Sequence, residues 1–176
     1  MVLLLIPIAA SGQRMAVATD MVGYADMATL NGELSVSLAQ HWSATAGFRY
    51  NPFTFKDKSG DPVTNRQRAA AVGARYWPWH VFSGWWFAAK AQYQEFNRGG
   101  IKSPQTREGD RYGAGVSAGF TYMIASWLNL ELSLGTWGGV EAYKVYECPV
   151  CGDMKQQGQK SFLLPNDVGL AFSFVF

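Results

Sequence analysis

Apolar and polar residues alternate with a period of two along most of this chain, and helical periodicity is weak throughout. The C-terminal segment is the clearest case: Val168, Leu170, Phe172, Phe174 and Phe176 fall on one face, and Gly169, Ala171 and Ser173 on the other. Leu34–Leu38, Trp42–Tyr50, Ala70–Tyr76, Trp85–Gln94, Tyr112–Tyr122 and Leu128–Gly135 repeat the pattern. With the poorer segment Met15–Tyr24, the alternation predicts eight antiparallel strands.

The connections alternate in length. Gln40-His41, Ile124-Ala125-Ser126 and Pro78–Gly84 are short, whereas Asn51–Asn65, Asn97–Asp110 and Gly138–Pro165 read as long polar loops. Short turns at one end and long loops at the other are the habit of outer-membrane β-barrels, with the short end periplasmic; an even strand count then places both termini there. A soluble eight-stranded barrel also alternates, with its apolar set inward. Here the other face is mostly Gly, Ala and Ser. Small residues suit the crowded interior of a narrow barrel, which large Leu, Phe and Tyr side chains would overfill. The expected fold is therefore an all-β, up-and-down transmembrane barrel with a small filled lumen and periplasmic termini.

Composition sharpens this picture. Aromatics make up 15% of the 176 residues and charged residues 16%, against about 25% charged in a typical soluble domain. The net charge of +2 gives no support for nucleic-acid binding. No internal apolar run approaches the roughly 20 residues of a spanning helix. Val2–Ala10, followed by Ser11-Gly12-Gln13, reads as an atypical secretory signal lacking a basic start. The expected division is residues 1–13 as signal and 14–176 as one domain.

Six of the seven tryptophans, Trp42, Trp77, Trp79, Trp85, Trp86 and Trp127, flank the short connections and are expected to form a periplasmic aromatic girdle. Tyr50, Phe53, Phe55, Tyr93, Phe96 and Tyr112 stand at the opposite strand ends as a second girdle. Asp20, Glu33, Arg49, Arg75, Lys90 and Glu131 fall on the inner parity, three acids and three bases. A buried charge needs a partner, so these are expected to form a lumen charge network. The alternate aromatics Phe172, Phe174 and Phe176 at the chain end resemble the signal read by the barrel-insertion machinery.

Cys148-Pro149-Val150-Cys151-Gly152 is the sharpest local motif. Three readings stand: a small-loop disulfide between Cys148 and Cys151, favoured in an exported protein; half of a metal site, for which a full ligand set is missing; or a reactive dithiol. His41 and His80 fall in the short turns, and no acid–base–nucleophile arrangement stands out, so no catalytic residue, metal or cofactor is assigned. Lys56, Lys58, Arg66, Arg68, Arg98, Lys102, Arg107 and Arg111, set against Asp57, Asp61, Glu108 and Asp110, give a moderately basic rim; it suits lipopolysaccharide phosphates or an anionic partner, and ordinary solvated loop charge is the competing reading.

Trp42-Ser43, Asn51-Pro52-Phe53-Thr54-Phe55, Ala74-Arg75-Tyr76-Trp77, Gly113-Ala114-Gly115 and the Cys148…Cys151 segment together resemble a family of small Bacteroidota barrel proteins catalogued as a domain of unknown function. The family usually has Trp where Phe53 stands, and its first-strand motif is poorly kept between Arg14 and Tyr24. The resemblance implies an outer-membrane location and an anchoring or assembly role beside cell-surface or fimbria-like components. The expected function is a non-enzymatic surface scaffold touching outer-membrane lipid and a surface protein partner. The alternative is a lipid-modifying enzyme or a carrier of small apolar ligands.

Overall fold

The computed structural model describes residues 14–56, 62–100, 105–147 and 153–176. Its elements, in chain order, are β1 (Met15–Asp20), α1 (Met21–Ala25), β2 (Leu30–Ala39), β3 (Trp42–Asn51), β4 (Thr54–Lys56), β5 (Pro62–Tyr76), β6 (Gly84–Gly99), β7 (Thr106–Ala125), β8 (Leu128–Tyr146) and β9 (Met154–Val175). Every strand pairing is antiparallel. β1 pairs with both β2 and β9, and β3 pairs with β5, so eight strands close into a ring while β4 lies on the upper part of β5.

The register measures how the ring closes. Ala18 pairs with Ser173 of β9 directly; followed the other way through Glu33, Gly47, Ala71, Gln92, Gly113 and Gly139, the same row reaches Phe162 of β9. With the bulge opposite Ser133/Gly135 discounted, the stagger is about ten residues, which obliges the strands to tilt strongly. The shallow β1–β9 seam, Ala16–Asp20 against Ala171–Val175, is where the first strand meets the last.

Alternation sorts the side chains inside out. Phe48, Val72, Phe87, Val116, Tyr122, Leu132, Leu134 and Leu163 are exposed on the outer face. Ser35, Ser43, Thr45, Gln67, Arg75, Gln94, Ser117, Glu131, Glu141 and Ser173 are buried within. The core is correspondingly small and sits at the short-turn end, where Trp77, Phe82, Trp86, Ala16, Ala88 and Val175 pack together. Trp77 meets Phe82 edge-on at 5.9 Å and Trp86 at 6.3 Å. Phe82 adopts φ 67°, a backbone conformation costly for a bulky residue. Its buried ring and the 2.9 Å hydrogen bond donated by Asn129 Nδ2 to its carbonyl hold it there. Gly119 makes room for Trp86: a Cβ at that position would lie 2.4 Å from the indole.

Two sequence expectations need correction. Met15–Tyr24 is not one strand: β1 stops at Asp20, whose carboxylate accepts a hydrogen bond from Val22 N at 3.0 Å and caps α1. The segments read as long loops are largely paired strand, since β5 begins at Pro62, β6 runs to Gly99, β7 begins at Thr106, β8 runs to Tyr146 and β9 begins at Met154. In those segments polar residues occupy both faces, so the ladder continues while the apolar period-two signal vanishes. β5–β9 thus extend past the ends of β1, β2 and β3 as a protruding sheet.

Candidate functional site

The interior is layered along the axis of the ring. Next to the aromatic core, Arg75 on β5 reaches two carboxylates: Nη1 donates to Glu131 Oε2 of β8 at 2.9 Å, and Nη2 pairs with Glu33 of β2. Glu33 also takes Lys90 Nζ of β6 at 3.1 Å. The guanidinium lies over the Trp86 ring, 4.1 Å from its centroid. A planar, delocalised cation stacked on an aromatic and forked between carboxylates loses little freedom on pairing, which is why arginine fits here. Asp20, Arg49 and Gln92 line a cavity of about 90 Å³ together with these four residues.

A second polar layer follows towards the long end. Asp26, beyond α1, receives Asn65 Nδ2 at 3.2 Å and Gln67 Nε2 at 3.4 Å, and Gln94 Nε2 donates to Gln67 Oε1 at 2.7 Å. Asn51 Nδ2 donates to Thr29 Oγ1 at 3.0 Å. Beside this layer, Glu141 is buried between Arg107 and Arg111. Those two guanidiniums lie over Tyr143 and Phe96, at 4.3 and 4.0 Å. Burial pushes the Arg98 guanidinium below its ordinary value; the charge of Arg111 adds to this, and Asp26 and Glu141 oppose it.

Of the six charges expected inside, Glu33, Arg75, Lys90 and Glu131 form one network, Asp20 caps α1, and Arg49 lines the adjoining cavity. The Arg107–Glu141–Arg111 triad escaped the sequence reading because it lies in segments taken for loops. Carrying the parity of Gly115 and Gly113 three steps further, to Arg111, Gly109 and Arg107, brings both arginines onto the inner face. The basic rim divides: Arg98, Arg107 and Arg111 share the inner parity, Arg66 and Arg68 the outer, and Lys58 and Lys102 lie outside the described residues.

The tryptophan belt also divides. Trp42, Trp79, Trp85 and Trp127 are exposed, but Trp77 and Trp86 are fully buried inside the ring, with Trp77 Nε1 donating to Ser43 Oγ at 3.0 Å. Adjacent residues of a strand face opposite ways, so of the neighbours Trp85 and Trp86 only one can lie on the outer belt. At the other limit of the apolar face stand Tyr50, Tyr93, Tyr112, Phe53 and Phe55, all exposed, whereas Phe96 is buried inside. Phe174 and Phe176 are exposed, and Phe172, of the same parity, is half-buried. His41 and His80 stack at 6.3 Å in the short-turn end. Cys148, Cys151 and residues 1–13 lie outside the described residues.

Past the tyrosines the outer face turns polar. Arg68, Glu95 and Asp110 form the next tier, then Arg66, Asn97, Glu108 and Lys144. The Tyr146 hydroxyl donates to Glu108 Oε1 at 2.8 Å, which raises the phenol above its usual value. Glu147 receives Lys155 Nζ at 2.8 Å, and that bond holds its carboxyl below the ordinary range.

Among curated proteins none matches the sequence. The family described as "Protein of unknown function (DUF3575)" matches residues 1–176, and the chain belongs to it.

Proposed function

We propose that this DUF3575 chain is an outer-membrane β-barrel, with periplasmic termini, that serves as a non-enzymatic surface scaffold. The observation that carries the reading is the inverted burial: exposed Phe, Leu, Val and Tyr ring the outside, while matched ions and hydrogen-bonded amides fill the middle. In water such an outer face would be a very large apolar patch, far beyond what soluble monomers expose. In a bilayer it is the required surface, and the β1–β9 and β3–β5 pairings that close the ring satisfy the backbone groups along those seams within the sheet. From Trp85 to Tyr93 the apolar face is bounded by aromatics at both limits, matching the roughly 9–11 tilted residues of a crossing strand. Trp42, Trp79, Trp85 and Trp127 then mark the periplasmic interface, and Tyr50, Tyr93 and Tyr112 the outer one.

The stacked interior layers oppose a role in general diffusion, because an eight-stranded ring has room only for side chains. The parts that reach the exterior are the protruding strands β5–β9, which support contact with lipopolysaccharide and with a surface protein partner. The alternate aromatics Phe172, Phe174 and Phe176 support delivery by the barrel-insertion machinery.

Two measurements test this. The purified chain should fold only with detergent or lipid, and Leu134→Arg should cost about 2–4 kcal/mol of stability in vesicles, as a charge near the bilayer midplane does. A chain that stays folded and dissolved without surfactant would falsify the membrane assignment. For the scaffold, replacing residues 147–153 with Gly-Asn should abolish capture of the partner from detergent-solubilised envelopes, while unaltered capture would refute a role for this segment.

A further inference from the structure

On the outer face, just past Tyr50, Tyr93 and Tyr112, the protruding strands carry a groove of about 940 Å³. It runs across the strands rather than along them. Gln67, Phe96, Gly109, Tyr143 and Gly158 are register partners in one row beneath it. One wall is the row Arg68, Glu95, Asp110, Ala142 and Gln159; the other is Arg66, Asn97, Glu108, Lys144 and Gln157. At the ~4.8 Å spacing of neighbouring strands, five strands give a track roughly 19 Å long.

We propose that this groove binds a neutral oligosaccharide. Three bases, Arg66, Arg68 and Lys144, face three acids, Glu95, Glu108 and Asp110, so the walls carry no net charge. A phosphate-rich ligand needs an excess of cations, and an added peptide strand needs a free sheet edge rather than a track across a face. The walls instead offer planar guanidinium, carboxylate and carboxamide groups, each able to meet two neighbouring hydroxyls. Tyr50 and Pro52 close one end with apolar surface on which the C–H face of a sugar ring can rest.

The acids decide between hydroxyl-rich and phosphate-rich ligands. Glu95 and Asp110 are direct cross-strand partners, an arrangement that costs stability between like charges. The Tyr93 hydroxyl lies 3.0 Å from Asp110 Oδ1 and 3.4 Å from Glu95 Oε1, and Asn97 Nδ2 lies 3.3 Å from Glu108. These contacts aim the carboxylates while leaving acceptor positions for hydroxyl donors, which sugars supply and phosphates lack. The groove's place immediately outside the tyrosine belt rests on the proposed membrane orientation and puts it at the level of surface glycans.

The test applies the full-length protein, in a zwitterionic detergent free of sugar, to an array of defined neutral, carboxylated and phosphorylated oligosaccharides. The tightest neutral binder is then followed by calorimetry. Binding of at least one neutral oligosaccharide is expected, weakened more than tenfold by Ala142→Trp, which fills the track, and about tenfold by Asp110→Asn, which keeps its shape. Gln40→Ala at the far end should leave it unchanged. The proposal is overturned if no neutral oligosaccharide binds, if binding is confined to anionic glycans and collapses with salt, or if Asp110→Asn binds like the parent. Because the array needs no bilayer, failure here is distinct from failure of the membrane reading, which the surfactant requirement decides by itself.

Discussion

Replacing Arg75 with Met isolates Glu131, and the cost of that isolation probes the interior directly. The Arg75 and Glu131 side chains are 6% and 4% exposed, so neither charge reaches bulk water. Methionine keeps most of the volume and a sulfur contact to Trp86, worth about 0.3–1.5 kcal/mol, which offsets much of the lost cation–π contact of roughly 2 kcal/mol. Glu33 keeps Lys90 at 3.1 Å. What is left is one buried carboxylate without its cation, for which about 3–5 kcal/mol is expected. Adding Glu131→Leu removes the isolated charge, and the double variant should return to within about 1 kcal/mol of the parent, since replacing both partners of a buried pair is often neutral. Urea unfolding from vesicles, followed by tryptophan fluorescence with an unchanged m-value, reads both numbers. A loss below about 1 kcal/mol in the single variant, or a double variant no better than the single, would refute the claim that paired charges hold the interior together.

Trp86→Ala should cost about 3–5 kcal/mol by leaving a cavity in the aromatic core, whereas Trp85→Ala, on the exposed outer belt, should cost about 1 kcal/mol or less, within the usual range of surface changes; equal losses in urea titrations would show the two neighbours are not on opposite faces. Gly119→Val should destabilise strongly, because even a Cβ would lie 2.4 Å from the Trp86 ring; combination with Trp86→Ala should recover part of the loss, and strict additivity would rule out that contact. The Tyr146 phenol, raised by its bond to Glu108, stabilises the folded sheet below its unfolded value near 10, a contribution lost as pH rises through its higher folded value. Ultraviolet titration should place Tyr146 above an ordinary tyrosine, and Glu108→Gln should abolish the difference.

The sequence made the eight ring strands legible wherever one face was uniformly apolar. Leu128–Leu134 and Val168–Phe176 are the plainest cases, because bulky apolar side chains at every second position leave a strong period. Parity by itself puts Asp20, Glu33, Arg49, Arg75, Lys90 and Glu131 on one face, since isolated charges among small residues stand out, but it does not say which of them pair. Proximity to a turn does not separate Trp85 from Trp86; alternation puts them on opposite faces. The sequence reading missed β4, the upper reaches of β5–β9, the Arg107–Glu141–Arg111 triad and the transverse groove. There polar residues stand on both faces and interrupt the apolar period, and polar residues in extended strand look the same as polar residues in a loop.

The chain's own order of side chains therefore determined strand identity, pairing order between sequence neighbours and which face is apolar, because alternation is a local property of extended backbone. Closure of β3 on β5 and β1 on β9, the stagger of about ten residues, and the meeting of Arg75 with carboxylates from β2 and β8 were decided only by the tertiary structure. Those relations join residues far apart in sequence through the cumulative tilt of the whole ring, and no short stretch of sequence encodes a sum taken over eight strands.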